Sequence, residues 1–288
     1  MSVASERRDV RAERLLMAAR FEVIPTAHSE TLLAPIPRDR KLTITCSPTK
    51  GVDATLELIE SLRADEFEVV PHIAARGVRD AVHLREICGR LEEAGVDDVF
   101  VIGGDDARPA GPYADALDLM EAMDELGFHP EQLGVGAYPE GNPHASDAEL
   151  VEILRGKRRL ATYMVSQLCF DPSKIREWLE TIRAAGITLP LYVGVPGVVN
   201  RRKLIEISLR LGVGDSLRFL GSQARNMATL LGRSCFRPDA LVEQVASWDG
   251  SLGVAGFHVC TFNQVEETER WLEKQASAGH LRRDTSGA

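Results

Sequence analysis

Eight short β-rich runs, each followed by a helical pattern, constrain this chain more than any other feature. The runs are "RFEVIPT" (20–26), "KLTITCS" (41–47), "EVVPHIA" (68–74), "DVFVIGG" (98–104), "LGVGAYP" (133–139), "YMVSQLCF" (163–170), "LPLYVGV" (189–195) and "VAGFHVCTF" (254–262). Most are nearly continuous in apolar residues, as expected of parallel strands covered on both faces. Between them, "DATLELIESLRAD", "RDAVHLREICGRLEEAG", "PYADALDLMEAMDELG" and "PSKIREWLETIRAAG" place leucine, isoleucine and methionine at helical spacing, and most end in glycine. Strands alternating with helices eight times predict an α/β fold, a (β/α)₈ TIM barrel. A doubly wound open sheet is the alternative.

No linker rich in Pro, Gly or Ser divides the 288 residues, so one barrel domain over 1–288 is expected. Its core spans about 18–276 and its polar tail, 277–288, is expected to fray. The link after the first strand is short and holds Pro35 and Pro37, so its helix should be vestigial. The long stretch from Gly212 to Gly253 should hold extra helix. The charged N-terminus reads as a short amphipathic helix burying Leu15, Leu16 and Met17, not as a signal peptide.

Composition excludes several functions. The net charge is −9 with both signs spread along the chain, which argues against nucleic acid or an anionic membrane as partner. No apolar run approaches a membrane span. The five cysteines form no C-x-x-C pair, so no metal site is expected, and reduced thiols in a cytoplasmic setting fit better than a disulfide framework.

Polar residues gather where the apolar runs end, the face on which such barrels carry their chemistry. They are Glu22, Thr45, His72, Asp105, Tyr138 with Glu140, Gln167 and Thr261. A buried carboxylate costs several kcal/mol unless it is paired or hydrogen-bonded, and a purely structural barrel needs no such convergence. Structural roles compete at each position. Glu22 could pair with an arginine inside the barrel, His72 could be a packed core histidine, and Tyr138 could only fill space. Of the adjacent Asp105 and Asp106, the second suits an N-cap for the helix beginning near Pro112. The S-x-x-K match at 47–50 lacks its companion motifs, and no G-x-G-x-x-G fingerprint is present.

Taken together, "FEVIPT", "LTITCSPTKGVDAT", "PHIAAR", "FVIGGDD", "GVGAYPEGNP", "MVSQLCFD", "YVGVPGVVN" and "FHVCTFN" resemble the methylenetetrahydrofolate reductases in order and spacing, from Phe21 to Asn263. The resemblance implies a (β/α)₈ barrel and a place in one-carbon metabolism and methionine biosynthesis. The implied reaction is reduction of 5,10-methylenetetrahydrofolate to 5-methyltetrahydrofolate by NADH or NADPH, ordinarily through bound FAD. By position, Glu22 matches the family's general acid. Asp105 matches the aspartate near the pterin and flavin, and Gln167 the glutamine that contacts folate, with Tyr138 beside it. Thr45, His72, Tyr138, Glu140 and Lys157 fall at cofactor-side positions.

The residue types suit that chemistry. A pterin edge presents two adjacent donors, matched by a carboxylate such as Asp105, and a glutamine amide complements the remaining edge. Opening the methylene bridge requires a proton on N10. Glu22 can supply it if burial raises its pKa toward neutrality, and ionised Asp105 would stabilise the resulting 5-iminium cation.

Three departures fall on the flavin side. Gly103 stands where the family commonly has an arginine reaching the FAD pyrophosphate, and Asn142 where it has histidine. "GKRRLATYMVSQ" replaces a lysine and an A-G-A-type loop and is one residue shorter. Lys157, Arg158 and Arg159 could still reach a phosphate. These changes predict absent or weakly bound FAD and direct hydride transfer from NADH or NADPH to the folate. The alternatives are the same reaction through FAD, or a non-catalytic folate-binding relative.

Overall fold

The computed structural model describes residues 3–26, 28–46, 51–142, 145–200, 203–204 and 235–284. Eight parallel strands close a barrel: β1 (Arg20–Val23), β2 (Leu42–Ile44), β3 (Val69–Ala74), β4 (Asp98–Ile102), β5 (Gln132–Ala137), β6 (Tyr163–Ser166), β7 (Leu191–Pro196) and, after a short antiparallel ribbon of β8 (Val199–Asn200) and β9 (Cys235–Phe236), β10 (Val254–Cys260). Each predicted run contributes one barrel strand. Closure joins the two ends of the sequence, because β1 pairs with β2 on one side and β10 on the other. Glu22 lies opposite Thr43 and opposite Cys260.

Helices α1 (Val3–Met17), α2 (Ser29–Leu33), α3 (Gly51–Ala64), α4 (Ala81–Glu93), α5 (Ala116–Glu125), α6 (Asp147–Lys157), α7 (Pro172–Ala184), α8 (Asp239–Ala246) and α9 (Val265–Asp284) surround the sheet. The helix after β1 is indeed vestigial, at 5 residues. Part of the predicted insertion is α8, while residues 205–234, like the S-x-x-K stretch at 47–50, lie outside the described residues. The segment expected to fray continues α9 to Asp284. Leu15 and Leu16 are buried as expected, but Met17 is 67% exposed. Three consecutive residues cannot share one helix face, and Met17, the last residue of α1, falls on the solvent side.

Alternation along the strands separates two apolar layers. Ile73, Val99, Val101, Val135, Met164, Val193, Phe257 and Val259 pack outward with the helices. Val70, Phe100, Tyr163 and Val165 form a separate cluster with Ile102 and Tyr192 inside the barrel. Gly134 makes room for it, because a Cβ there would come within 2.2 Å of the Tyr163 ring.

A charged plug closes the barrel's base. Arg20 Nη1 lies 3.1 Å from Asp98 Oδ2, and its guanidinium stacks on Tyr163 and Tyr192 at 4.2 and 4.0 Å. Tyr163 donates to Asp98 Oδ1 at 2.8 Å and Lys41 to Oδ2 at 3.2 Å. Burial alone would lower the Arg20 pKa. Tyr163, Asp98 and Tyr192 outweigh it and hold the cation above its ordinary value. The arginine inside the barrel therefore belongs to Asp98, and Glu22 has a different partner.

Candidate active site

The mouth of the barrel is built around Glu22. Its side chain is 22% exposed, and its Oε2 lies 2.8 Å from Nε2 of His258, whose side chain is only 4% exposed. His72 stacks on His258 with ring centroids 5.9 Å apart, and both rings pack near Phe100. Cys260, one inward position beyond His258, brings its thiol within 4.8 Å of the Glu22 carboxylate.

The backbone that carries Glu22 is clamped by the end of β10. Thr261 Oγ1 donates to the Glu22 carbonyl at 2.6 Å. Asn263 then brackets Ile24, two residues further on, accepting from its N–H at 2.9 Å and donating to its carbonyl at 3.0 Å. Phe262 and Asn263 adopt φ of 50° and 63° to make this turn. Asparagine tolerates the left-handed region, and a bulky residue there stores strain that surrounding contacts must offset.

Electrostatics reverse one expectation. Burial does push Glu22 upward, but the hydrogen bond and charge of His258, with His72 and Cys260, outweigh it, so the carboxyl is held below its ordinary value. Sequence reasoning saw the desolvation and missed the partner. The same burial pushes the Cys260 thiol well up, with Glu22 adding to it, and lowers His72 to about 4. His72 is thus a neutral ring, packed as a core histidine, yet its buried Nε2 has no hydrogen-bond partner among the described residues.

The other predicted residues divide. Asp105 is exposed at the mouth, and its charge adds to burial in raising the half-buried Tyr138 phenol. The half-buried Gln167 follows β6, its backbone N–H bonded to Ala137, and its amide makes no hydrogen bond among the described residues. Thr45 bonds back to Val23. Glu140 turns inward, its side chain 5% exposed and 3.9 Å from Lys174. Lys157 is buried and lines a crevice between β5, α6 and α7 together with Tyr138 and Trp178. Arg158 and Arg159 point away, to the Gly186 carbonyl and to Glu121.

Asp106 is not a cap. Its carbonyl accepts from Arg76, and Asp115 caps α5, accepting from Leu117 and Asp118 N–H groups. The loop after β4 runs further than expected before the helix begins, so the cap falls at its far end.

The residue that sequence reasoning missed is His258. It lies within the apolar run, not at its end. The available signal was period two: Gly256, His258 and Cys260 share one face of β10, and two of them carry reactive groups.

A methylenetetrahydrofolate reductase family model matches residues 39–213, which includes Asp105 and Gln167 and stops short of the His258 strand. Among solved structures, a family 18 chitinase from Cycas revoluta in complex with (GlcNAc)₃ is similar at 12% identity, covering 91% of this chain and 99% of its own, with a TM-score of 0.51. The same chitinase with allosamidin gives 12% identity, 91% and 99% coverage and a TM-score of 0.50. At that identity the likeness is one of fold. The family match spans more than half of the chain, the barrel is that family's fold, and the chain belongs to the methylenetetrahydrofolate reductase family.

Proposed function

We propose that this protein reduces 5,10-methylenetetrahydrofolate to 5-methyltetrahydrofolate, taking hydride from NADH or NADPH directly, without tightly bound flavin. The observation that carries the reading is Glu22: a carboxyl at the mouth of the barrel, hydrogen-bonded to a buried histidine and clamped through its own backbone. A folate binder has no need of such an acid. Gln167 and Asp105 offer the amide and carboxylate that a pterin edge requires. Glu22 gives the proton to N10, and Asp105 favours the cation that forms when the bridge opens.

The mouth fits a nicotinamide cofactor, which supplies the hydride when bound. A Cβ at Gly103 would meet nothing within 4 Å, so a flat ring can approach the backbone there. His72, with its unpartnered buried Nε2, and Thr45 and Tyr138 are the residues that would hold it. The case against tight FAD binding is the same Gly103, which brings no guanidinium, together with Arg158 and Arg159 turned outward. Charge-assisted hydrogen bonds are worth about 1.5–3 kcal/mol each, so losing several weakens a pyrophosphate site by orders of magnitude. Lys157, buried beside Tyr138, is the basic residue on which the flavin-bound alternative rests, and Glu140 is turned toward Lys174.

The test is a visible spectrum of the purified protein followed by a folate-dependent NADH oxidation assay. The expected result is no stoichiometric flavin, turnover that requires methylenetetrahydrofolate, and intersecting double-reciprocal lines. Parallel lines, or a flavin spectrum bleached by NADH alone, would restore the flavin route. Glu22→Gln should lower turnover by about 10²–10⁴-fold with folate binding retained. Retention of more than about a tenth of turnover would remove Glu22 from the acid role.

A further inference from the structure

We propose that Glu22, His258 and Cys260 form a site for one Zn²⁺ ion at the mouth of the barrel, and that an ion bound there switches the acid off. The site itself stands on the geometry of three side chains. Only the loss of turnover rests on the reading of Glu22 as general acid.

Barrel closure builds the donor set. Side chains two apart on a strand share a face, so His258 and Cys260 both point inward from β10. Parallel pairing sets Glu22 of β1 opposite Cys260. A carboxylate oxygen, a ring nitrogen and Sγ then all lie within 4.8 Å of one another. Tetrahedral zinc, with bonds of about 2.0–2.3 Å, separates its ligands by about 3.3–3.7 Å. The spacings here, 2.8 Å between Glu22 and His258 and no more than 4.8 Å for any pair, bracket that range. All three residues sit on strands, which hold donors more precisely than loops do.

The donor types select the ion. A thiolate, an imidazole and a carboxylate suit zinc, whereas magnesium and calcium take oxygen ligands. The two anionic donors offset the charge of the dication. His72 is a second sign of a ligand. It is 5% exposed, its Nε2 has no hydrogen-bond partner among the described residues, and its ring stacks on that of His258 at 5.9 Å. It is a further nitrogen donor in the same cluster.

On binding, Cys260 releases its thiol proton to water and coordinates as thiolate. His258 keeps one ring proton, which moves from Nε2 to Nδ1 as Nε2 takes the metal. That Nδ1 is buried with no hydrogen-bond partner among the described residues. Lack of a partner behind a ligating histidine lowers metal affinity about 10–100-fold. The site therefore fills and empties with free zinc and is not a permanent structural centre. While it is filled, the Glu22 carboxylate is bonded to the metal and cannot carry a proton to N10.

The experiment titrates chelator-treated protein with Co²⁺, whose spectrum reports its ligands, and then with Zn²⁺. One Co²⁺ per chain should give a thiolate-to-metal charge-transfer band and the strong visible bands of a four-coordinate ion, and Zn²⁺ should displace both. Cys260→Ser should remove the charge-transfer band, and His258→Gln should weaken binding about 10–100-fold. Cys88→Ser, on α4 outside the barrel, should keep the band. A band that survives Cys260→Ser overturns the site. So does wild-type protein that binds no Co²⁺ or binds it without the band, a readout that needs no variant to fold; either leaves the acid reading untouched. In the NADH oxidation assay Zn²⁺ should abolish turnover and a chelator should restore it. Zinc bound at the site with turnover unchanged would instead overturn the switch and Glu22 as the acid.

Discussion

Thr261 Oγ1 donates a 2.6 Å hydrogen bond to the backbone carbonyl of Glu22, across 239 residues of sequence. The same hydroxyl accepts from Asn263 N–H at 3.2 Å, so one side chain fixes both the strand that carries Glu22 and the left-handed turn beside it. Thr261→Val keeps the shape and removes both bonds. It should cost about 1–2 kcal/mol in chemical denaturation and reduce kcat more than it changes folate KM. An unchanged kcat would show that the clamp serves stability alone.

The adjacent acids after β4 should behave differently from each other. Asp105→Asn is expected to weaken folate binding and slow turnover. Asp106→Asn should stay within about 0.5 kcal/mol of wild-type stability, because Asp106 caps nothing. Asp115→Ala, which removes the true cap of α5, should cost about 1 kcal/mol. Steady-state kinetics and thermal unfolding of the three variants distinguish these outcomes, and a larger kinetic defect in Asp106→Asn than in Asp105→Asn would reverse the assignment.

Acid should destabilise the protein through His72. Its folded pKa is about 4 against an ordinary 6.5, so below 6.5 the unfolded chain takes up a proton that the native ring refuses. The stability from keeping this ring neutral is complete above pH 6.5 and is lost as pH falls toward 4. The loss reaches about 3 kcal/mol at most, since each pKa unit is worth about 1.4 kcal/mol. His72→Phe should flatten the stability–pH curve across that window. An identical slope in wild type and variant would place the dependence elsewhere.

The plug at the base predicts the largest stability effect. Asp98→Ala leaves the Arg20 guanidinium buried without its carboxylate and should cost about 3–5 kcal/mol. Tyr163→Phe removes one hydrogen bond to the same carboxylate and should cost about 1 kcal/mol. Denaturant midpoints measure both, and equal costs would mean that the Arg20–Asp98 pair contributes no more than the single tyrosine hydrogen bond.

The sequence made the strands legible because burial on both faces writes a continuous apolar run, and the ends of those runs pointed to Glu22, Asp105 and Gln167. His258 was hidden by the same logic. It sits inside its run, and its significance comes from a strand 236 residues away, which no local pattern encodes. The pKa of Glu22 failed for that reason too: desolvation follows from the strand, but the opposing partner follows from barrel closure. The Asp106 error was local, since nothing in the loop's composition marked where α5 begins.

Barrel closure also bears on how the protein is made. Glu22 emerges early in synthesis, whereas His258, Thr261 and Asn263 are among the last residues of the barrel to be added. An unfinished chain can hold Asp105 and Gln167 and still leave Glu22 without His258 and without its backbone clamp. The surroundings of the proposed acid are therefore complete only when the final strand docks, and proteolysis before β10 is expected to abolish the proposed turnover while sparing the loops that carry Asp105 and Gln167.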